Sequence, residues 1–138
     1  MTERLPVAVY GILVPGPARR YPFPHHPATL PRWASWPLHP DGKILGAWEV
    51  GTNYEMDVSV LRLDLLPDLD YDAWLADFDR IEGVDHDFYQ REVVPVAVDD
   101  LLQPHRLLNL DCWIYVPTYS TTVETANAYW QRCFHPTI

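Results

Sequence analysis

The sequence predicts an α+β fold, a small mixed β-barrel with flanking helices. Three observations lead to this prediction. The chain has 138 residues, the size of one domain with a substantial core. Short runs rich in β-branched and aromatic residues recur along it, bounded by proline or glycine. Between the third and fourth of these runs lies one segment with the periodicity of an amphipathic helix. No internal repeat divides the chain, so we expect residues 1–138 to form a single domain.

The first elements are a strand and a long proline-rich segment. Residues 7–14 predict a buried strand, because this apolar run lies between two prolines. Residues 15–40 contain eight of the fourteen prolines. Proline fixes φ and removes a hydrogen-bond donor, so we expect neither a helix nor a central strand there. We predict an ordered irregular loop in which Trp33 and Trp36 pack inward, either as a wall of a pocket or as a cover for a sheet edge.

Two strands and a helix are predicted next. Residues 43–50 and 56–65 have strand composition and are separated by a turn at 51–53. Asp70 is placed to cap a helix, and Gly83 stands where a helix often ends in a left-handed residue. The apolar residues between them follow the i, i+3, i+4, i+7 spacing: Tyr71, Trp74, Leu75, Phe78 and Ile81. Glu82 is therefore expected at the helix end, beside a tight turn.

The last predicted elements are two strands and a second helix. Residues 88–98 form the first strand, with Pro95 marking a bulge or an edge. Residues 111–116 alternate, which separates Cys112, Ile114 and Val116 from Trp113 and Tyr115. A capping-box pattern at Thr121 and Glu124 predicts a final amphipathic helix over residues 121–133.

Three motifs in this order resemble those of the γ-glutamylcyclotransferase-like (AIG2-like) family. They are Y-G-I-L-V-P-G at 10–16, F-D-R-I-E-G at 78–83 and Y-Q-R-E-V-V at 89–94. The family opens with a strand followed by Y-G-[ST]-L-x-x-G, and later carries L-D-x-x-E-G and Y-x-R-x-x-V. Tyr89 follows Glu82 at the spacing found in many members. The resemblance covers residues 7–16 and about 58–117, and it implies the family's barrel fold.

The resemblance also implies a site and a reaction. Glu82 would be the catalytic carboxylate, acting as a general base and then as a general acid. The substrate-binding residues would be Tyr10, Gly11, Ile12, Leu13, Tyr89 and Tyr115. The substrate's own α-amine would attack the carbonyl of a γ-glutamyl amide, giving 5-oxoproline and a free amine. Because the nucleophile is already on the substrate, no metal and no cofactor are expected.

Departures from the family pattern keep two alternatives open. Ile12 stands where the family has Ser or Thr, and Ser59 where it usually has glycine. The first alternative is a carboxylate-driven cyclase, isomerase or lyase acting on a bulkier apolar metabolite. The second is a non-catalytic ligand- or protein-binding module on the same fold. Without the motifs, Glu82 would be an ordinary helix-end glutamate and the tyrosines ordinary core residues; for Arg91 we favour a structural role, holding a carboxylate.

Composition limits the partners and the compartment. The formal net charge of −9 and a pI near 4.9 argue against nucleic acid. We expect a cytoplasmic protein, because no secretory signal and no long apolar run is present. Two cysteines are too few for a disulfide framework, and we expect Cys112 to be a buried inert thiol. The histidines near residues 25, 39 and 86 lack the spacing of metal-ligand motifs. We therefore expect the partner to be a small-molecule substrate. The sequence does not predict the oligomeric state.

Overall fold

The computed structural model describes residues 4–11, 13–17, 19–37, 45–86, 89–99, 102–103 and 106–118. The strands are β1 (Val7–Val9), β2 (His25–Pro31), β3 (Trp33–Pro37), β4 (Leu45–Glu49), β5 (Glu55–Leu61), β6 (Tyr89–Asp99) and β7 (Leu107–Pro117). The α-helix is α1 (Tyr71–Glu82), and 3₁₀ turns span Leu63–Leu65 and Val84–His86. Five strands close into a barrel in the order β1-β5-β2-β6-β7, while β3 and β4 form a separate two-stranded sheet.

The barrel is mixed because β1 is parallel to β7 and antiparallel to β5. The other neighbouring pairs, β5 with β2, β2 with β6, and β6 with β7, are antiparallel. The predicted small mixed α+β barrel is therefore confirmed as an architecture. The second predicted helix, at 121–133, lies outside the described residues.

The barrel interior is filled by alternate residues of its strands. Side chains of a strand point to opposite faces with a period of two. On β7, the predicted alternation is confirmed, because Cys112, Ile114 and Val116 lie in the interior cluster. The other buried members of this cluster are Ala8, Leu30, Trp33, Ala47, Met56, Val58, Val60, Val94, Val96 and Val98. Since Trp33 and Ala47 belong to β3 and β4, the small sheet packs on the same core as the barrel.

A second apolar cluster lies between α1 and the outside of the barrel. Helix α1 begins as predicted, with the Asp70 carboxylate accepting a hydrogen bond from the Ala73 N–H at 3.2 Å. It ends at Gly83, whose φ of 76° is the left-handed conformation expected of a helix-terminating glycine. The buried members of the cluster are Val7, Val9, Leu13, Phe23, Leu61, Leu63, Tyr71, Leu75, Phe78 and Tyr115. The helix is therefore held against β1, β5 and β7.

The prediction of one irregular loop over residues 15–40 is wrong. Strand β2 is one of the five strands that form the barrel, and it pairs with β5 along its whole length, from His25 to Pro31. Proline is compatible with extended backbone and removes only one donor, and alternate residues of a strand direct their hydrogen bonds to opposite neighbours. Pro27 and Pro31 therefore weaken one side of β2 only. The ladder from β2 to β6 consists of a single pair, Thr29 with Ala97.

Other boundaries also differ from the predictions. The bulge considered at Pro95 is wrong, because β6 and β7 pair in one continuous register through the Pro95–Asp111 position. Within the described residues, the strand predicted at 43–50 corresponds to β4 (Leu45–Glu49), which pairs with β3. The strand predicted at 56–65 ends at Leu61 and continues as a 3₁₀ turn. Trp33 packs inward as predicted and is 6% exposed. Within the described part of the chain, no helix has the length and hydropathy needed to cross a membrane.

Candidate active site

Glu82 is a partly buried carboxyl group at the end of α1. It is the last residue of the helix, directly before the turn at Gly83. Burial raises the pKa of the Glu82 carboxyl from its ordinary value of 4.5 to about 7, and the nearby Arg19 guanidinium offsets part of that rise. A carboxylate is also disfavoured at the C-terminal end of a helix, where the dipole is negative. This position is therefore poor for stability and well suited to proton transfer near neutral pH.

Tyr21 connects the environment of Glu82 with the turn after β1. The Tyr21 hydroxyl donates a hydrogen bond to the Leu13 carbonyl at 2.8 Å. The same turn is closed by the Val14 N–H, which donates to the Gly11 carbonyl at 3.1 Å. Burial raises the pKa of the Tyr21 phenol, Arg19 lowers it, and the charge of Glu82 raises it. Tyr21 thus lies within electrostatic range of Glu82 while holding the turn backbone.

Aromatic rings surround Tyr21 on the side of α1. Its ring stacks on Phe23, with centroids 5.0 Å apart and an interplanar angle of 15°. Trp74 and Phe78 meet Tyr21 edge-on, at centroid distances of 6.0 and 5.7 Å. Such edge-to-face contacts are favourable because a ring edge is positive and a ring face negative. The position of Tyr21 is therefore set by packing from two sides.

Asp79 forms the second polar centre, one turn before Glu82 on α1. Its Oδ1 accepts hydrogen bonds from the Arg91 Nε and from the Tyr115 hydroxyl, both at 2.7 Å. The pKa of the Tyr115 phenol is raised, first by burial and then by Asp79, with a smaller contribution from Glu82. Tyr115 therefore stays protonated as a donor. Arg91 holds a carboxylate that ties α1 to the barrel, the structural role favoured for it from the sequence.

Further contacts connect Arg91 through Trp113 and Tyr71 to Leu5. The Arg91 guanidinium lies over the Trp113 ring, 4.5 Å from its centroid. The Trp113 indole N–H donates to the Tyr71 hydroxyl at 3.1 Å. That hydroxyl also accepts from the Leu5 N–H at 2.9 Å and donates to the Leu5 carbonyl at 2.6 Å. Helix α1 is thus joined to β6, β7 and the segment before β1.

The residues predicted to bind substrate occupy different environments. The Tyr10 ring packs against the barrel interior, and its hydroxyl donates to the Tyr115 carbonyl at 2.6 Å. Tyr89 is partly buried in the cluster beneath α1. The structure brings Glu82 and Tyr115 within electrostatic range of each other. Tyr21 lies within electrostatic range of Glu82 and donates a hydrogen bond to the Leu13 carbonyl. Gly11 contributes its carbonyl to the turn, whereas Ile12 lies outside the described residues.

Three residues of this region were missed in the sequence. Asp79 is three positions before Glu82, a spacing that places two side chains on neighbouring parts of one helix face. That signal was available. Arg19 and Tyr21 lie in the proline-rich segment, where no periodicity relates them to α1. Only the folded chain brings them to Glu82.

Cys112 is an inert thiol, and the described residues contain no metal-binding cluster. Cys112 is buried, and burial raises the pKa of its thiol to about 12, so the thiol is protonated. Among the described residues, no group of three or more His, Cys, Asp or Glu side chains is arranged to hold a metal ion. His39, one of the histidines considered from the sequence, lies outside that part of the chain.

Comparisons with known proteins gave no relative for this chain. No protein-family model matches it. No match was found among curated proteins or among solved structures. The resemblance of its motifs to the γ-glutamylcyclotransferase-like family therefore stays a prediction.

Proposed function

We propose that the protein is a cofactor-free acid/base enzyme of γ-glutamylcyclotransferase type, which cyclises a γ-glutamyl amide to 5-oxoproline and releases an amine. The observation that carries this proposal is the placement of Glu82. It is a partly buried carboxyl with a pKa of about 7, next to Tyr21 and hence to the turn after β1. A group whose pKa lies near the working pH can both take and return a proton efficiently.

The proposed reaction needs one proton carrier. The Glu82 carboxylate takes a proton from the neutral α-amine of the substrate as the amine nitrogen attacks the γ-carbonyl carbon. A nitrogen–carbon bond forms and closes the five-membered ring. The bond between that carbon and the leaving nitrogen then breaks, and Glu82 returns the proton to the leaving amine. Holding amine and carbonyl together supplies most of the rate advantage of such an intramolecular step.

The neighbouring tyrosines support this assignment, because they leave Glu82 as the proton acceptor. The phenols of Tyr21 and Tyr115 have raised pKa values and remain protonated, so neither competes as a base. Tyr21 fixes the Leu13 carbonyl, and the Gly11 carbonyl is bonded to the Val14 N–H. A turn held in this way can present its backbone to a ligand without reorganising, and we assign the substrate cradle to residues 10–13.

The test is turnover of L-γ-glutamyl amides by wild-type and Glu82→Gln proteins, with 5-oxoproline measured by chromatography. The amide keeps the shape of the side chain and removes its titrating group, so kcat should fall about 10²- to 10⁴-fold. Asp72→Asn is the matched control, since Asp72 is exposed near the opposite end of α1. Wild-type kcat/KM should rise with pH up to about 7 as Glu82 ionises. Unchanged turnover in Glu82→Gln would contradict the assignment.

The aromatic cluster favours one second candidate, a proton-transfer cyclase, isomerase or lyase acting on a bulkier apolar metabolite. Tyr21 lies within electrostatic range of Glu82, and its ring packs with those of Phe23 and Trp74. Inhibition of γ-glutamyl amide turnover by apolar amines and lactams of increasing size would separate the candidates. Affinity that grows steeply with apolar bulk, together with slow turnover of every γ-glutamyl amide, would favour the second. Ligand binding without any turnover would indicate a binding module.

A further inference from the structure

Asp79 joins the last turn of α1 to one residue pair of the barrel. Its Oδ1 accepts hydrogen bonds from the Arg91 Nε and from the Tyr115 hydroxyl, both at 2.7 Å. Arg91 and Tyr115 lie opposite each other in the ladder between β6 and β7. The Asp79 and Arg91 side chains are 19% and 25% exposed, so water and salt screen their ion pair less than a pair at the surface. One oxygen atom of α1 is therefore bound by two neighbouring strands.

Helix α1 has a second hydrogen-bonded attachment at its first residue. There the Trp113 indole N–H of β7 donates to the Tyr71 hydroxyl at 3.1 Å. Apolar packing is non-directional and by itself lets a helix turn about its axis, whereas a hydrogen bond requires a particular distance and angle. Because Tyr71 begins the helix and Asp79 lies in its last turn, the two attachments together fix the rotation of α1 on the barrel.

The backbone that connects Asp79 with Glu82 is closed by the helix cap. The Gly83 N–H donates to the Arg80 carbonyl at 3.2 Å and also to the Asp79 carbonyl. Glu82 follows Asp79 by three positions, a spacing that places two side chains on neighbouring parts of one helix face. Among the described residues, no hydrogen bond fixes the Glu82 carboxyl itself. The position of that carboxyl therefore depends on the turn that Asp79 and Gly83 close.

We propose that Asp79 is a positioning residue for Glu82, because its bonds to Arg91 and Tyr115 hold the last turn of α1 and keep the Glu82 carboxyl in its partly buried place. The effect on turnover rests on the proposed cyclisation, whereas the effect on Glu82 does not. Asp79 itself takes no proton, since its Oδ1 already accepts two hydrogen bonds. Without these bonds the helix end would fray and expose Glu82 to water. The pKa of Glu82 would then fall toward 4.5, because burial is the main cause of its rise.

Two substitutions of Asp79 remove the same charge and differ in one acceptor oxygen. Asp79→Asn keeps an Oδ1 that can accept from both Arg91 and Tyr115, whereas Asp79→Ala removes it. Carbon-13 NMR titration of the Glu82 carboxyl, identified by its absence from Glu82→Gln, measures the pKa of Glu82 in each protein. Asp79→Ala should lower that pKa by at least about one unit more than Asp79→Asn does. The lost charge cancels in this comparison, so the difference reports the position of the carboxyl.

Turnover of L-γ-glutamyl-propylamide provides the second measurement. A displaced base no longer lies within hydrogen-bond reach of the substrate, so kcat should be at least about tenfold lower in Asp79→Ala than in Asp79→Asn. KM should differ less than about threefold between them, because Asp79 is bound to the barrel and not to the substrate. Asp77→Ala is the matched control and should change neither kcat nor the pKa of Glu82. The Asp77 carboxylate is also bound by an arginine, but Arg80 belongs to the same helix.

Equal effects of Asp79→Asn and Asp79→Ala on the pKa of Glu82 overturn the proposal, because these variants share only the lost charge. A wild-type pKa near 4.5 also overturns it, since Glu82 would then have no buried position to keep. If Asp79→Ala does not fold, Tyr115→Phe takes its place, because it removes one of the two donors and no charge. It should lower the pKa of Glu82 by at least about half a unit, and an unchanged pKa contradicts the proposal.

Failure of the proposed cyclisation has a different signature. Wild-type protein would then form no 5-oxoproline from L-γ-glutamyl-propylamide. The NMR titration of Glu82 needs no substrate, so the difference between Asp79→Asn and Asp79→Ala still decides whether Asp79 positions Glu82.

Discussion

Glu82, the residue proposed to be catalytic, stands at a position that has a cost in stability. Its carboxyl is partly buried at the negative end of a helix, and of the charges near it Arg19 is the one that favours ionisation. A glutamate selected for stability would be exposed or paired. The sequence motif singles out this residue, but the physical reason for its raised pKa is burial, which is a property of the folded chain. Prediction from sequence could therefore name Glu82 and could not assign its environment.

The cost at Glu82 leads to a prediction about stability and pH. Because the pKa in the folded state lies above the unfolded value of 4.5, the folded state binds the proton more tightly. Wild-type stability should therefore fall as pH rises from about 4.5 to 7, by at most about 3 kcal/mol. Glu82→Gln lacks this titration and should be more stable than wild type at pH 8.

Urea unfolding of both proteins at pH 5 and pH 8 measures the effect. The stability advantage of Glu82→Gln should be small at pH 5 and larger at pH 8, and Asp72→Asn should show no comparable pH-dependent gain. If Glu82→Gln were instead less stable than wild type at pH 8, the carboxylate would be making stabilising contacts in its charged form.

Among the elements, α1 was predicted closely because several independent signals agree. The cap at Asp70, the apolar stripe and the glycine at position 83 all define the same helix. The sequence does not predict strand β2, because the proline content of residues 15–40 favours an irregular loop. A strand that has a full ladder on one side tolerates prolines that weaken the other side. Which side is free is a property of the assembled barrel, and a single strand's sequence does not contain it.

Helix α1 is joined to the barrel by hydrogen bonds as well as by apolar packing, and Tyr115→Phe tests this connection. The Tyr115 hydroxyl donates to Asp79, and its removal should cost about 1.5–3 kcal/mol, the range for a hydrogen bond to a charged group. KM for a γ-glutamyl amide should change little, because that hydroxyl is already occupied.

Denaturant unfolding and steady-state kinetics of Tyr115→Phe separate the two roles. Tyr54→Phe, at a tyrosine that is 47% exposed, is the control for loss of a hydroxyl. A raised KM without loss of stability would instead support Tyr115 as a substrate-binding residue, as the family resemblance implies.

At the scale of the whole molecule, the core consists of two apolar clusters in different places. One fills the barrel and includes Trp33 of the small sheet, and the other lies between the barrel and α1. The rings around Tyr21 belong to the second cluster, on the same side as Glu82. Alternation over residues 111–116 predicts which side chains of β7 point inward, but closure of five strands and the position of β3 and β4 depend on long-range pairing. No local pattern specifies that pairing.

This division predicts different consequences for two tryptophans. Trp33→Ala removes a buried side chain from the barrel cluster and should lower stability by about 3–5 kcal/mol, with kinetic constants of the folded protein unchanged. Trp74→Ala should also destabilise, and in addition it should alter KM or substrate preference. The Trp74 and Tyr21 ring centroids are 6.0 Å apart, and the Tyr21 hydroxyl donates to the Leu13 carbonyl in the turn proposed to bind substrate.

Both variants can be measured well below their unfolding midpoints, with kcat and KM determined for γ-glutamyl amides of different leaving amines. Trp33 was expected from the sequence to serve either as a pocket wall or as a cover, and its burial in the barrel cluster favours the cover. A change in substrate preference for Trp33→Ala would place β3 at the substrate after all. If Trp74→Ala altered only stability, Tyr21 would hold its position without the helix-side ring, and substrate binding would not depend on this packing.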